Sequence, residues 1–89
     1  MWERQPNGDW WADMPIRHRD GSRWVKPRVM DVHRRTAMRN QGTAEAEIVA
    51  EWWTVSRGAH TEPWRFPDAE TAMRYADSWW DAMAAARRL

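Results

Sequence analysis

The chain has 89 residues, no cysteine, a net charge of +1 and a mean hydropathy of −0.96, which suits one small domain. Without cysteine there can be no disulfide, no thiol catalysis and no cysteine–zinc site. No apolar stretch approaches the roughly 20 residues of a membrane span, and no apolar run follows a basic N-terminus as in a secretory leader, so a soluble, cytoplasmic protein is expected.

Nine residues are tryptophan, and six of these form the adjacent pairs Trp10-Trp11, Trp52-Trp53 and Trp79-Trp80. Leu89 is the only leucine, Ile16 and Ile48 the only isoleucines, and Phe66 the only phenylalanine. The core must therefore come from Trp, Val, Met and Ala. One indole removes on the order of 150–250 Å² from water, or about 4–6 kcal/mol as an upper bound, so a few buried indoles replace the missing aliphatics. Lys26 is the only lysine among 14 basic residues. That bias, with the many Ala and Trp, fits a GC-rich genome: a high-GC bacterium or a phage of one.

In chain order, Asn7-Gly8 between Trp2–Gln5 and Asp9–Asp13 predicts a first hairpin. Asp20-Gly21 between Pro15–Arg19 and Arg23–Val25 predicts a second. The strand after Asp20-Gly21 is expected to run to Val32 and to give way to an irregular or helical turn before Gly42. Residues 43–47 fit helix or strand. Residues 48–56 read as a strand, 58–62 as a loop, and Pro63–Phe66 as a short returning strand. Asp68 is a good N-cap for a helix over about 68–88, whose stripe is Ala69, Ala72, Met73, Ala76, Trp79, Trp80 and Met83. Asp68 and Glu70 lie at its positive end, and Arg87 and Arg88 at its negative end. The expected fold is α+β, a three- to five-stranded antiparallel meander packed against that one C-terminal helix.

Strand parity adds a constraint. Successive side chains on a strand point to opposite faces, so a doublet such as Trp10-Trp11 or Trp52-Trp53 cannot place both indoles under one helix. Ile48, Ala50, Trp52 and Thr54 fall on one face, and Val49, Glu51, Trp53 and Val55 on the other. Neither face is properly polar, as one solvated face would require. The second face is therefore expected to be a contact surface, assigned to Trp11, Val49, Trp53 and Val55. Parity does not say which face is the core, so the labels of Trp52 and Trp53 are exchangeable. The alternative is that residues 33–47 fold back as a covering layer.

Charge is segregated along the chain. Residues 17–39 hold eight basic residues against two acidic ones, and residues 40–86 hold three arginines against eight acids. The basic segment is either a patch for nucleic acid or an acidic partner, or a solvated arm paired with the protein's own acidic half; the second is favoured.

No motif fixes a reaction. His18-Arg19-Asp20 spells the catalytic-loop triplet of protein kinases, but there is no glycine-rich phosphate loop and the chain is far too short. His18, His33 and His60 lack metal-ligand spacing, and His60 with Glu62 is expected at the surface of a loop. Asp77 and Asp81, four apart on the helix, read as a solvated face. No catalytic residue, metal or small-molecule cofactor is assigned, and an enzyme is not expected.

Two binding readings follow. The first is a regulator, inhibitor or accessory factor that binds a protein partner or itself through the Trp-rich sheet face, because Trp and Arg dominate binding hot spots. The second is nucleic-acid binding, with Arg17, Arg19, Arg23, Lys26, Arg28, Arg34 and Arg35 on phosphates and Trp24 stacking on a base. Strand–loop–strand running into an Ala-rich helix over the last forty or so residues resembles in outline the sheet-plus-helix arm domains of tyrosine recombinases. No diagnostic motif matches, and no residue role is carried across.

Overall fold

The computed structural model describes residues 2–17 and 20–87, with the side chains of residues 17, 26–28, 86 and 87 outside the description. Five antiparallel strands lie in sequence order: β1 (Trp2–Arg4), β2 (Trp10–Arg17), β3 (Arg23–Arg39), β4 (Glu47–Arg57) and β5 (His60–Thr61). One helix, α1 (Ala69–Arg87), packs across β2, β3 and β4.

Both predicted hairpin turns form. Gly8 and Gly21 have φ of +90° and +88°, the left-handed region that a side chain disfavours. Asp20 Oδ1 accepts bonds from the Ser22 N–H and hydroxyl, and Asn7 Oδ1 accepts one from the Asp9 N–H.

Two expectations are corrected. First, β3 does not stop at Val32 but runs on to Arg39, while residues 40–46 form the turn into β4. The alternation Arg34, Thr36, Met38 against Arg35, Ala37, Arg39 fits a strand as well as a helix, and pairing with β4 decides between them. Second, Pro63–Phe66 does not form a strand. Phe66 makes a single bridge to Trp53, with both backbone bonds at 2.9 Å, and the short returning strand is His60–Thr61.

β3 organises the molecule. Its 17 residues, at about 3.3 Å each, account for most of the 59 Å long axis. β2 pairs with its first part, from Arg23 to Val32, and β4 with its second, from Met30 to Arg39. Three strands therefore lie side by side only near Met30–Val32, and a two-stranded ribbon extends beyond them at each end. Where Ala12 and Met14 face Met30 and Lys26, three β3 residues oppose one on β2. Pro27, which has no N–H for the ladder, lies in that bulge. The bulge brings Val29 into the core with Ala12, Met14, Met30 and Trp80.

The core sits between this central sheet and α1. Val32 and Val55, paired across β3 and β4, meet Ala72 and Ala76, and all four are fully buried. Small side chains let the helix backbone approach closely, and β-branched valines fill the pleated surface opposite. Asp68 caps α1, accepting the Thr71 N–H at 2.7 Å. That bond, made to the charged carboxylate, is the main reason the Asp68 pKa is lowered.

Candidate functional site

The two strand doublets divide as parity requires. Trp10 faces α1 and packs on the Val32–Val55 cluster, so Trp11 lies on the opposite face, between Glu3 of β1 and Asp31 of β3. Trp53 also packs on that cluster, which places Trp52 on the opposite face. The labels drawn from sequence are thus exchanged. Trp53 belongs to the helix side, and Val55, fully buried, is core rather than contact surface. The reason is the register: Val55 lies opposite Val32 and Trp53 opposite Arg34, so β4 turns its odd-numbered residues from 51 to 57 towards α1. Trp11 and Val49 remain outside the buried core. Val49 is the extra residue of a bulge, since Ala37 and Met38 pair with Ala50 and Ile48.

On the face away from α1, Trp52 is covered by Arg65, whose guanidinium carbon lies 4.3 Å from the ring centroid, well inside cation–π range. Arg35 lies opposite Trp52 on β3 and reaches Thr54 Oγ1 at 3.4 Å. One strand further, His33 Nδ1 meets Asp9 Oδ2 at 3.0 Å, and the Arg34 N–H donates to Asp9 Oδ1 at 3.0 Å. Burial pushes the Asp9 carboxyl upward, but bonds from His33, the Arg34 N–H and Asn7 outweigh it and hold the pKa below the ordinary value. This face carries Trp52, Arg35 and Arg65 towards one end, and Trp11, Glu3, Asp13 and Asp31 towards the other. Residues 33–47 do not fold back over it, because they are the ends of β3 and β4 and their turn. Among the described residues α1 is the only second layer.

Arg65 was not legible as a site residue. It lies 13 positions from Trp52, and only the Phe66–Trp53 bridge brings it alongside.

The basic segment is divided between the two ends of β3: Arg17 and Arg23 are cross-strand partners on the β2–β3 hairpin, with Lys26 and Arg28 further along it, while Arg34, Arg35 and Arg39 lie in the part paired with β4. Arg23 and Arg39 stand at opposite ends of β3, roughly 50 Å apart at strand spacing. Arg34 and Arg39 are held by Glu51 (2.9 Å) and Glu47 (3.2 Å) of β4, the pairing with the acidic half that the charge pattern favours. The bond from Glu51 raises the Arg34 pKa. Trp24, opposite Ile16, is exposed on the β2–β3 hairpin. Arg19 lies outside the described residues, and of Arg17, Lys26 and Arg28 only the backbone is described.

Beside α1, Trp79 is flanked by Arg57 (5.7 Å), His60 (5.7 Å) and Tyr75 (6.4 Å). Glu62 accepts the Tyr75 hydroxyl at 3.1 Å and lies 3.6 Å from His60. Glu62 is largely covered while His60 is exposed, which ties the short β5 edge to the helix. Asp77 and Asp81 are exposed, and Asp77 accepts the Trp2 indole N–H at 3.3 Å. Among the described residues no group of three or more His, Asp or Glu is placed to hold a metal ion, and no helix is long and apolar enough to cross a membrane. No protein-family model, curated protein or solved structure matches the chain.

Proposed function

We propose that this is a non-enzymatic interaction protein that acts in the cytoplasm by binding another protein through the sheet face opposite α1. The observation that carries the reading is the Trp52–Arg65 stack on a face over which the described residues place no second layer. A rigid indole with a guanidinium over it offers large apolar area, an oriented charge and little entropy left to lose. Arg35 beside Trp52 and Arg65 over it give this end of the face a positive character that favours a partner with an acidic contact surface. Arg34 and Arg39 are already taken up by Glu51 and Glu47, which favours a protein over a polyanion at this end of β3.

The test is capture from native lysate with and without nuclease, comparing wild type with two single variants. Trp52→Ala is expected to lose the captured protein and, because the ring is half-buried and carries the Arg65 contact, to cost about 1 kcal/mol, a fall of about 4–8 °C in thermal midpoint. Trp53→Ala, which opens the core edge, is expected to lose about 2–3 kcal/mol of stability. Capture that survives Trp52→Ala, or that vanishes with nuclease, overturns the reading; the second outcome selects nucleic acid.

A further inference from the structure

The outer end of the β2–β3 hairpin is a two-stranded ribbon. β1 pairs with β2 only from Trp10 to Ala12, and β4 pairs with β3 only from Met30 onward. Among the described residues, β2 and β3 therefore have only each other as sheet neighbours between Met14 and the turn. Residues 14–26 carry Arg17, Arg19, Arg23 and Lys26 against a single acid, Asp20. Asp20 is engaged within the turn, where its carboxylate accepts the Ser22 N–H at 2.8 Å and the Ser22 hydroxyl at 2.6 Å. Arg17 and Arg23 stand directly opposite one another where the strands enter the turn. Like charges so placed destabilise a hairpin, so local folding does not account for this pair. Beside it Trp24 is 63% and Val25 68% exposed, more than any other large apolar residue described.

We infer that this end of the hairpin binds single-stranded nucleic acid, with the Arg17–Arg23 pair and Lys26 as cations for its phosphates and Trp24 as a stacking surface for a base. Charge complementarity sets the sign of the ligand: an anion placed at the arginine pair relieves the repulsion that the fold leaves there.

Strand parity sets its shape. Successive residues lie on opposite faces, so Arg23 shares one face with Arg17, while Trp24 shares the other with Ile16 and with the register position of Lys26. The two strands are about 4.8 Å apart, and a thin, flexible polymer passes around so narrow a ribbon. A single strand alternates phosphates with flat bases, and so has a phosphate to offer the arginine pair and a base to offer the indole. A bilayer, or the acidic side of a folded protein, meets one face of the ribbon and leaves the other unused. A duplex keeps its bases stacked on one another and has no base face to give to Trp24.

The rest of the molecule sets the strength. The whole chain carries only +1, and Arg34 and Arg39 are taken up by Glu51 and Glu47, so phosphate contacts are confined to the three cations of the hairpin. At about 0.7 per phosphate neutralised on a single strand, log affinity is expected to fall against log salt with a slope of about −2. Trp24 lies 11 residues along β3 from Arg35, the partner of Trp52, or about 35 Å at strand spacing. The site is therefore separate from the Trp52 face and does not rest on it.

Fluorescence anisotropy on the full chain tests the inference. The probe is a labelled mixed-sequence single strand of about 12 nucleotides, as DNA and as RNA, with the same DNA annealed to its complement as the duplex. Both single strands are expected to bind at low salt, and more tightly than the duplex. Trp24→Ala is expected to weaken binding by about tenfold with the salt slope unchanged, and Trp24→Phe to recover most of the loss. Arg23→Gln is expected to weaken binding and to make the slope shallower by about 0.7. Because it removes one of two opposed like charges, that variant is also expected to keep or raise the thermal midpoint.

No binding of either single strand at low salt, a duplex bound as tightly, or Trp24→Ala without effect overturns the inference. So does an Arg23→Gln variant that loses stability together with binding. Equal displacement of the oligonucleotide by polyglutamate, or by phosphatidylserine vesicles, also overturns it and selects an acidic protein or a membrane instead. Trp52→Ala is expected to bind the oligonucleotide as wild type does, and Arg23→Gln to keep the protein captured from nuclease-treated lysate, so the two surfaces fail separately.

Discussion

Asp9 joins three partners from two parts of the chain. One carboxylate takes the Asn7 amide, the His33 ring and the Arg34 N–H, and so fastens the β1–β2 turn to the edge of β3 where β2 ends. Its pKa is lowered in the folded protein from 3.8, so the unfolded chain binds more protons at acidic pH. The stabilisation is then complete above about pH 4 and is lost as pH falls through the folded value. The thermal midpoint of the wild type is expected to fall on acidification below pH 4, and that of Asp9→Asn to fall less over the same interval; equal slopes in a pH series of thermal melts would remove Asp9 from the account. Asp68, also lowered by its bond from Thr71, acts in the same direction. Asp68→Ala is expected to lower the denaturant midpoint, and Asp68→Ser, which keeps a capping oxygen, to restore most of it. The cap was legible because Asp68 follows Pro67 and precedes the Ala72–Ala76 stripe. The bonds of Asp9 were not, since its partners are 24 and 25 residues away.

At the level of elements, α1 and the hairpins follow from local chemistry. Ala72 and Ala76 touch Val32 and Val55 without space to spare, so Ala76→Leu is expected to lower stability by about 1–3 kcal/mol through overpacking. The exposed Ala85→Leu should change it little; if both variants melt alike, the close approach of helix and sheet is not what sets the core. The division of each tryptophan doublet across the sheet was readable from the period of a strand. Which member lies inside was not, because residues 48–56 carry similar hydrophobicity on both faces, and the choice is made by Val55 lying opposite Val32. Likewise, β3 beyond Val32 gains its strand identity from β4, a partner that no window of local sequence contains.

As a whole the molecule is elongated. Its radius of gyration is 16.2 Å, against about 12 Å for a compact chain of this length. The cause is a strand long enough to pair with β2 over one part and β4 over the other. In dilute solution, small-angle scattering is expected to return a radius near 16 Å or slightly above for the monomer. Replacing residues 37–50 by a two-residue Asn-Gly turn that closes on the Thr36–Glu51 pair should shorten the particle and keep the cooperative thermal transition, since Val32, Val55, Ala72 and Ala76 lie outside the deleted ribbon. Loss of that transition would mean that the ribbon and the core fold as one unit.

The amino-acid sequence alone determined the α+β class, the meander order, the capped helix and the rule that paired indoles must part company across a sheet. Each rests on backbone stereochemistry within a few residues: glycine at positive φ, an Asp at a helix start, alternation along a strand. The tertiary structure alone decided which indole is covered, that Arg65 lies over Trp52, and that residues 23–39 of the basic segment form one 17-residue strand. These depend on register between strands far apart in the chain, where a shift of one residue exchanges the two faces.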